Sequence, residues 1–263
     1  RGVRLADITL RGEMGIPGVL TAPQWGFYDV SFSHANRDLS LKPEAERRFR
    51  FPREYGTYVM ENILFKLNFP AEFHAQTACE AAVTLHPQVK DRLDDIDRIV
   101  ITTHESAIRI ISKSGSLANP ADRDHCLQYM TAVPLIFGEL SAEHYEDDFH
   151  AAHPVIDRLR EKMEVVEDPG YSRDYLDPDK RSIANAIQVF FKDGTHTDQV
   201  AVEYPIGHRR RRKEAIPVLE EKFRRNLATR FPAGRCDAII SLCQDRESLE
   251  ATPVHRFMDL LVT

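Results

Sequence analysis

Strand-forming runs in this chain fall between about residues 95 and 205, and helical patterns lie on both sides of them. "IDRIVITTHE", starting at Ile96, is dense in β-branched residues, which suit a pleated, half-buried surface. "KMEVVEDP" reads as a short strand stopped by Pro169. "SIANAIQVFF" and "HTDQVAVEYP" flank "KDG", a tight-turn signal, so Ile183–Tyr204 reads as a β-hairpin. Strands grouped between helices, rather than alternating with them, imply an α+β fold: a mainly helical part with a smaller α+β domain that contains an antiparallel hairpin sheet.

The flanks supply the helices. Residues 1–32 read as helical with interruptions at Gly12, Gly15, Pro17 and Gly18. Residues 33–56 are charged and irregular, with Pro43 and Pro52, and read as an extended connection. Ala78, Cys79, Ala82 and Leu85 recur at three- and four-residue steps, which predicts a helix over 75–85. A further helix is expected from Asp122 to Phe137, starting near Asn119 or Asp122. Glu214–Arg230, Cys236–Cys243 and Val254–Leu261 read as the last helices.

Composition removes several classes. A chain of 263 residues with 42% hydrophobic and 29% charged residues can bury a real core. Its formal charge of −6 points to neither nucleic acid nor membrane as a partner. No apolar run approaches the ~20 residues of a membrane span. The opening "RGVRLADITLRGEMGIPG" lacks a secretory signal pattern, and the missing initiator Met suggests a fragment or a processed product. Cys79, Cys126, Cys236 and Cys243 are too scattered for a disulfide framework and lack the C-x₂-C spacing of zinc or iron–sulfur sites. They read as small buried residues of an intracellular, reducing compartment, and no metal is expected.

Three segments carry candidate chemistry. "KLNFPAEFHAQTACEAAVTLHP" places Lys66, Glu72 and His74 around Pro70 at the start of a helix. A helix N-terminus favours a carboxylate ligand, Lys66 can pair with one, and His74 can transfer a proton near neutral pH. A surface lysine beside an ordinary helix start explains the same residues without function. In "ADRDHCLQYMTAVPLIFG", helical spacing aligns His125, Gln128 and Tyr129, although a tyrosine that merely caps the polar end of its helix is the plainer reading. In "YPIGHRRRRKEA", Arg209–Arg212 could clamp a polycarboxylate, bind nucleic acid, or pair with acidic residues of the chain. Four consecutive arginines point in all directions on a helix, and no aromatics interleave them, so structural pairing is favoured over nucleic acid.

These blocks, with "IVITTHESAIRII", "YLDPDKRSIANAIQVFF" and "VEYPIGHRRRR", resemble the MmgE/PrpD family over nearly the whole chain. The family enzymes are nearly twice this length, and the chain corresponds to their C-terminal half. The resemblance implies part of a helical domain and a connection over 1–60, an α+β domain over 61–205, and helices over 206–263 that return to the helical domain. It implies dehydration of 2-methylcitrate to 2-methyl-cis-aconitate in propionate breakdown, without an iron–sulfur cluster or other cofactor. Decarboxylation of cis-aconitate and epimerisation of a similar acid are the related alternatives. Lys66 and His74 fit a family active-site segment, with Glu72 as the rival to His74, and Tyr129 fits another. Arg209 and Arg210 are the candidates to bind the tricarboxylate. The resemblance further implies a homodimer with no nucleic-acid or membrane partner, in a bacterial cytoplasm or a mitochondrion.

Overall fold

The computed structural model of the chain describes residues 1–32 and 61–262. The extended connection expected over 33–56 lies outside the described residues. The chain divides into two compact units, Arg1–Tyr58 and Val59–Thr263. The first unit holds the Gly2–Leu10 and Phe27–Phe32 helices. The former buries none of its side chains, and Val3, Leu5 and Leu10 are exposed.

The second unit is built on a four-stranded sheet: β1 (Ile96–Thr103), β2 (Met163–Glu167), β3 (Asn185–Phe191) and β4 (Val200–Val202), in the order β2-β1-β3-β4. The β3–β4 hairpin is antiparallel, as is the β1–β3 pairing, but β2 runs parallel to β1. The sheet is therefore mixed. The short helices between Glu105 and Arg160 carry the chain back so that β2 can run in the direction of β1. The hairpin reverses through Gly194 at φ +85°, a conformation that glycine adopts without a Cβ penalty. Asp193 closes the turn by accepting from the Thr195 amide at 2.9 Å.

Packing follows the sequence pattern. Ile99, Ile101 and Thr103 alternate toward the core from β1 and are fully buried. The Gln76–Val89 helix presents Ala78, Cys79, Ala81 and Ala82, all small and fully buried, and this lets it lie close against the Leu127–Phe137 helix and the sheet. The Leu127–Phe137 helix is mostly apolar and buries all its residues through Leu135, Gln128 and Thr131 among them. A separate apolar cluster of Leu227, Cys236, Ile239 and Ile240 joins the Arg212–Ala228 and Ala233–Gln244 helices. An additional helix, Arg246–Ala251, is capped by Asp245.

The continuous helix expected from Asp122 to Phe137 is broken. Asn119 caps a single turn, Pro120–Arg123, and a new helix starts at Leu127 after Cys126 turns extended. The cause is Arg123, which is 1% exposed. Its guanidinium donates to the Tyr145 carbonyl at 2.7 Å and to the Asp147 carboxylate, an interior anchorage that a straight helix could not provide. His125 therefore sits outside the helix, exposed and paired with Asp124. It does not form the aligned face with Gln128 and Tyr129 that helical spacing predicts.

Candidate active site

The C-terminal ends of β1 and β2 and the start of β3 meet at one end of the sheet, as the pairings Thr103↔Glu167 and Thr102↔Ala186 require. Both parallel strands run into helix starts there. His104 caps the Glu105–Ile111 helix through Nδ1, which accepts from the Ala107 amide at 3.3 Å. Asp168 caps the Pro169–Leu176 helix, its carboxylate accepting from the Gly170 and Tyr171 amides.

The Glu72–His74 segment packs onto this end. Gln76 fixes the preceding loop by donating to the carbonyls of Phe69 and Ala71. Glu72 caps a 3₁₀ turn, Phe73–Ala75, that leads into the Gln76–Val89 helix, and its carboxylate accepts from the His74 amide at 2.7 Å. The same carboxylate lies 2.9 Å from His74 Nδ1. Burial by itself raises the Glu72 pKa, but the hydrogen bonds and charge of His74, with a smaller pull from His125, bring it below the usual carboxylate range. Glu72 is thus an ionised acceptor, and the proton between it and Nδ1 belongs to the imidazole.

The other ring nitrogen, Nε2, lies 3.1 Å from the Tyr175 hydroxyl. Tyr175 stacks on His104 with ring centroids 4.5 Å apart and planes 10° from parallel. His104 Nε2 is buried without a hydrogen-bond partner, and burial with the neighbouring His74 charge pushes its pKa down to about 4. From β3, the Asn185 side-chain amide donates to the His74 carbonyl at 2.8 Å and to the Thr77 hydroxyl at 2.7 Å. Buried polar atoms without partners gather in these segments: Thr103 Oγ1, His104 Nε2, Ser182 Oγ and Asn185 Oδ1. Interiors rarely leave such atoms unpaired, and among the described residues Thr131 Oγ1, Tyr145 Oη and Arg160 Nε share this state elsewhere in the domain.

The candidates named from the sequence are distributed as follows. His74 and Glu72 are the centre of the cluster. Lys66 is exposed on a cleft shared with Leu219, Lys222 and Phe223, and its carbonyl accepts from Lys222. Tyr129 is fully buried; its hydroxyl donates to the His144 carbonyl at 2.5 Å and its ring lies beside Tyr145 and His150. Burial pushes its phenol up to about 12, and its hydroxyl proton is engaged by the His144 carbonyl. Tyr175, His104 and Asn185 were not singled out by sequence reasoning, although all three lie inside the quoted blocks.

The arginine run is divided among partners. Arg211 pairs with Glu80 at 2.7 Å and donates to the Tyr204 carbonyl. Arg212 lies 3.8 Å over the Phe65 ring and donates to the Gly207 carbonyl. Arg209 and Arg210 are exposed, the first donating to Asn62 and the second to the Asp179 carbonyl. Gly207 lets the Phe65–Lys66 segment and the run approach, since a Cβ there would meet the Phe65 carbonyl oxygen at 1.6 Å. Among the described residues, no three His, Cys, Asp or Glu side chains converge as a metal site.

An α+β domain that lines up a carboxylate, a buried imidazole and a phenol at one end of its sheet holds groups able to pass a proton among themselves. Residues 69–246 match the MmgE/PrpD C-terminal domain, and the chain belongs to the MmgE/PrpD family. It is 54% identical to a 2-methylcitrate dehydratase of Escherichia coli strain K12, with all of this chain and 52% of that protein aligned. Identity is 56% to the 2-methylcitrate dehydratase of Cupriavidus necator, over 99% of this chain and 52% of the relative. It is 51% to a mitochondrial 2-methylcitrate dehydratase of Yarrowia lipolytica, over 100% and 48%. The chain spans about half the length of these relatives.

Proposed function

We propose that the protein carrying this chain dehydrates 2-methylcitrate to 2-methyl-cis-aconitate, as a step of propionate breakdown. The observation that carries the reading is identity above one half, sustained along the whole chain, to relatives named for that reaction in bacteria and in a mitochondrion. The chemistry asks for a base that removes a weakly acidic proton beside a carboxylate, and for positive groups that hold the developing charge. The Glu72–His74 pair supplies the acid–base function. Lys66, Arg209 and Arg210, all exposed, supply cations for the carboxylates of the substrate.

The same reading assigns residues 1–60 to a helical domain and its connection, 61–205 to the α+β domain, and 206–263 to helices returning to the helical domain. Tyr129, buried in the core with its hydroxyl on the His144 carbonyl, contributes by holding the Leu127–Phe137 helix in position. The reaction needs no cofactor, and the protein works as a homodimer in the cytoplasm of a bacterium or in a mitochondrion. Incubating the intact protein with 2-methylcitrate and following the ultraviolet absorbance of the conjugated product tests the function. Turnover near the ~1 s⁻¹ of ordinary enzymes is expected. Release of carbon dioxide from cis-aconitate, with 2-methylcitrate untouched, would instead identify a decarboxylase.

A further inference from the structure

We infer that the hydroxyl of Tyr175, rather than the imidazole of His74, is the group that exchanges a proton with the substrate, and that His74 is the relay behind it. The inference rests on the dehydration reading above.

Access decides between the two. His74 is only 6% exposed, and both of its ring nitrogens are occupied, Nδ1 by Glu72 and Nε2 by Tyr175. A base must come within hydrogen-bond reach of the proton that it takes, and no free ring nitrogen remains on His74 to do so. Tyr175 is partly exposed, on the helix capped by Asp168, and it continues the Glu72–His74 chain beyond Nε2.

Polarity runs the right way. Ionised Glu72 can only accept, so whenever the His74 imidazole holds a single proton that proton sits on Nδ1 and the lone pair on Nε2. The Tyr175 hydroxyl then donates to Nε2. His104 fixes the phenol ring by stacking and, being held neutral by burial, sets no competing positive charge against the imidazolium that forms.

The step balances within the chain. As the Tyr175 oxygen takes the proton from carbon, its own proton passes to His74 Nε2, and Glu72 stabilises the resulting imidazolium. The C–H electron pair becomes the double bond, and the C–O pair leaves with the hydroxyl. The proton stored on His74 returns through Tyr175 to that oxygen, so water departs and each group ends as it began.

The test uses the intact protein. Tyr175→Phe keeps the ring that stacks on His104 and removes only the hydroxyl. Its kcat should fall by ~10²-fold or more, with KM and the melting temperature little changed. A relay acting as one unit predicts that Tyr175→Phe with His74→Gln is no worse than either alone. Replacing Tyr175 by 3-fluorotyrosine, a more acidic phenol, should move the alkaline limb of the kcat/KM profile to lower pH. A Tyr175→Phe enzyme with near-normal kcat, or an alkaline limb that fluorination leaves in place, overturns the inference. Wild-type protein inactive on 2-methylcitrate overturns the underlying reading, so the two failures are distinct.

Discussion

The side-chain amide of Asn185 holds the backbone carbonyl of His74 at 2.8 Å across 111 residues of sequence. That bond ties the first residue of β3 to the turn that carries the acid–base pair, and Asn185 spends a second N–H contact on Thr77. Replacing Asn185 by Asp puts an acceptor where the donor stood, so the His74 carbonyl and the Thr77 hydroxyl oxygen both lose their partner in the interior. A loss of ~1–3 kcal/mol is expected, read from denaturant unfolding. An unchanged midpoint would show that the tie is dispensable.

Glu72→Gln keeps an acceptor for the His74 amide but removes the charge that stabilises an imidazolium. Turnover should fall by ~10²-fold, comparable to the loss expected for His74→Gln. Because the folded pKa of Glu72 is lowered, its stabilising pairing is complete above the ordinary value of 4.5 and fades as pH falls through the folded value. Acid titration of unfolding should therefore show a component below that point in the native protein, and the variant should lack it.

His104 has the opposite chemistry and a different window. Its pKa drops from 6.5 to about 4 on folding, so the unfolded chain binds the proton more tightly. The stability that this contributes is complete above pH 6.5 and is lost as pH falls from there toward 4. The difference amounts to about 3 kcal/mol across that range. His104→Asn keeps an acceptor for the Ala107 amide and removes the titration. Melting temperatures measured across this range should fall less in the variant than in the native protein; parallel falls would discount the buried imidazole.

The arginine run separates by position. Arg211, whose side chain is 24% exposed, should cost ~1–3 kcal/mol when changed to Met, because Glu80 and the Tyr204 carbonyl lose their partner. Arg209→Met and Arg210→Met should leave the unfolding midpoint in place and raise KM for 2-methylcitrate. A salt titration with duplex DNA addresses the rival use of the run. Binding that weakens steeply with salt would point to phosphate neutralisation and away from the anchoring role.

Much of the fold is written locally. The β-branched run at Ile96–Thr103, the Gly194 turn and the alanine face of the Gln76–Val89 helix are each specified by neighbours in sequence. The break at Asp124–Cys126 is not, because it depends on Arg123 reaching Tyr145 and Asp147, more than twenty positions downstream. The parallel placement of β2 is equally hidden, since a five-residue strand does not state which neighbour it will choose. At the site, Glu72 and His74 stand in one readable segment. Tyr175 meets His74 only through a separation of 101 residues, so nothing around "RDYLDP" marks it in advance. Tyr129 shows the converse: its local motif is conspicuous, yet burial and the His144 carbonyl consume its hydroxyl.

β2 pairs with one neighbour, β1, and so forms one of the sheet's two edges, β4 being the other. The helix bearing Tyr175 follows it directly, after Asp168. An outer strand of five residues is the kind of segment that opens in brief excursions while the rest of a domain stays folded. Each such excursion would carry the phenol away and leave Glu72 and His74 in place on the turn that leads into the Gln76–Val89 helix. Warming should then silence the protein reversibly at temperatures below global melting, and amide exchange along 163–176 should quicken over the same interval.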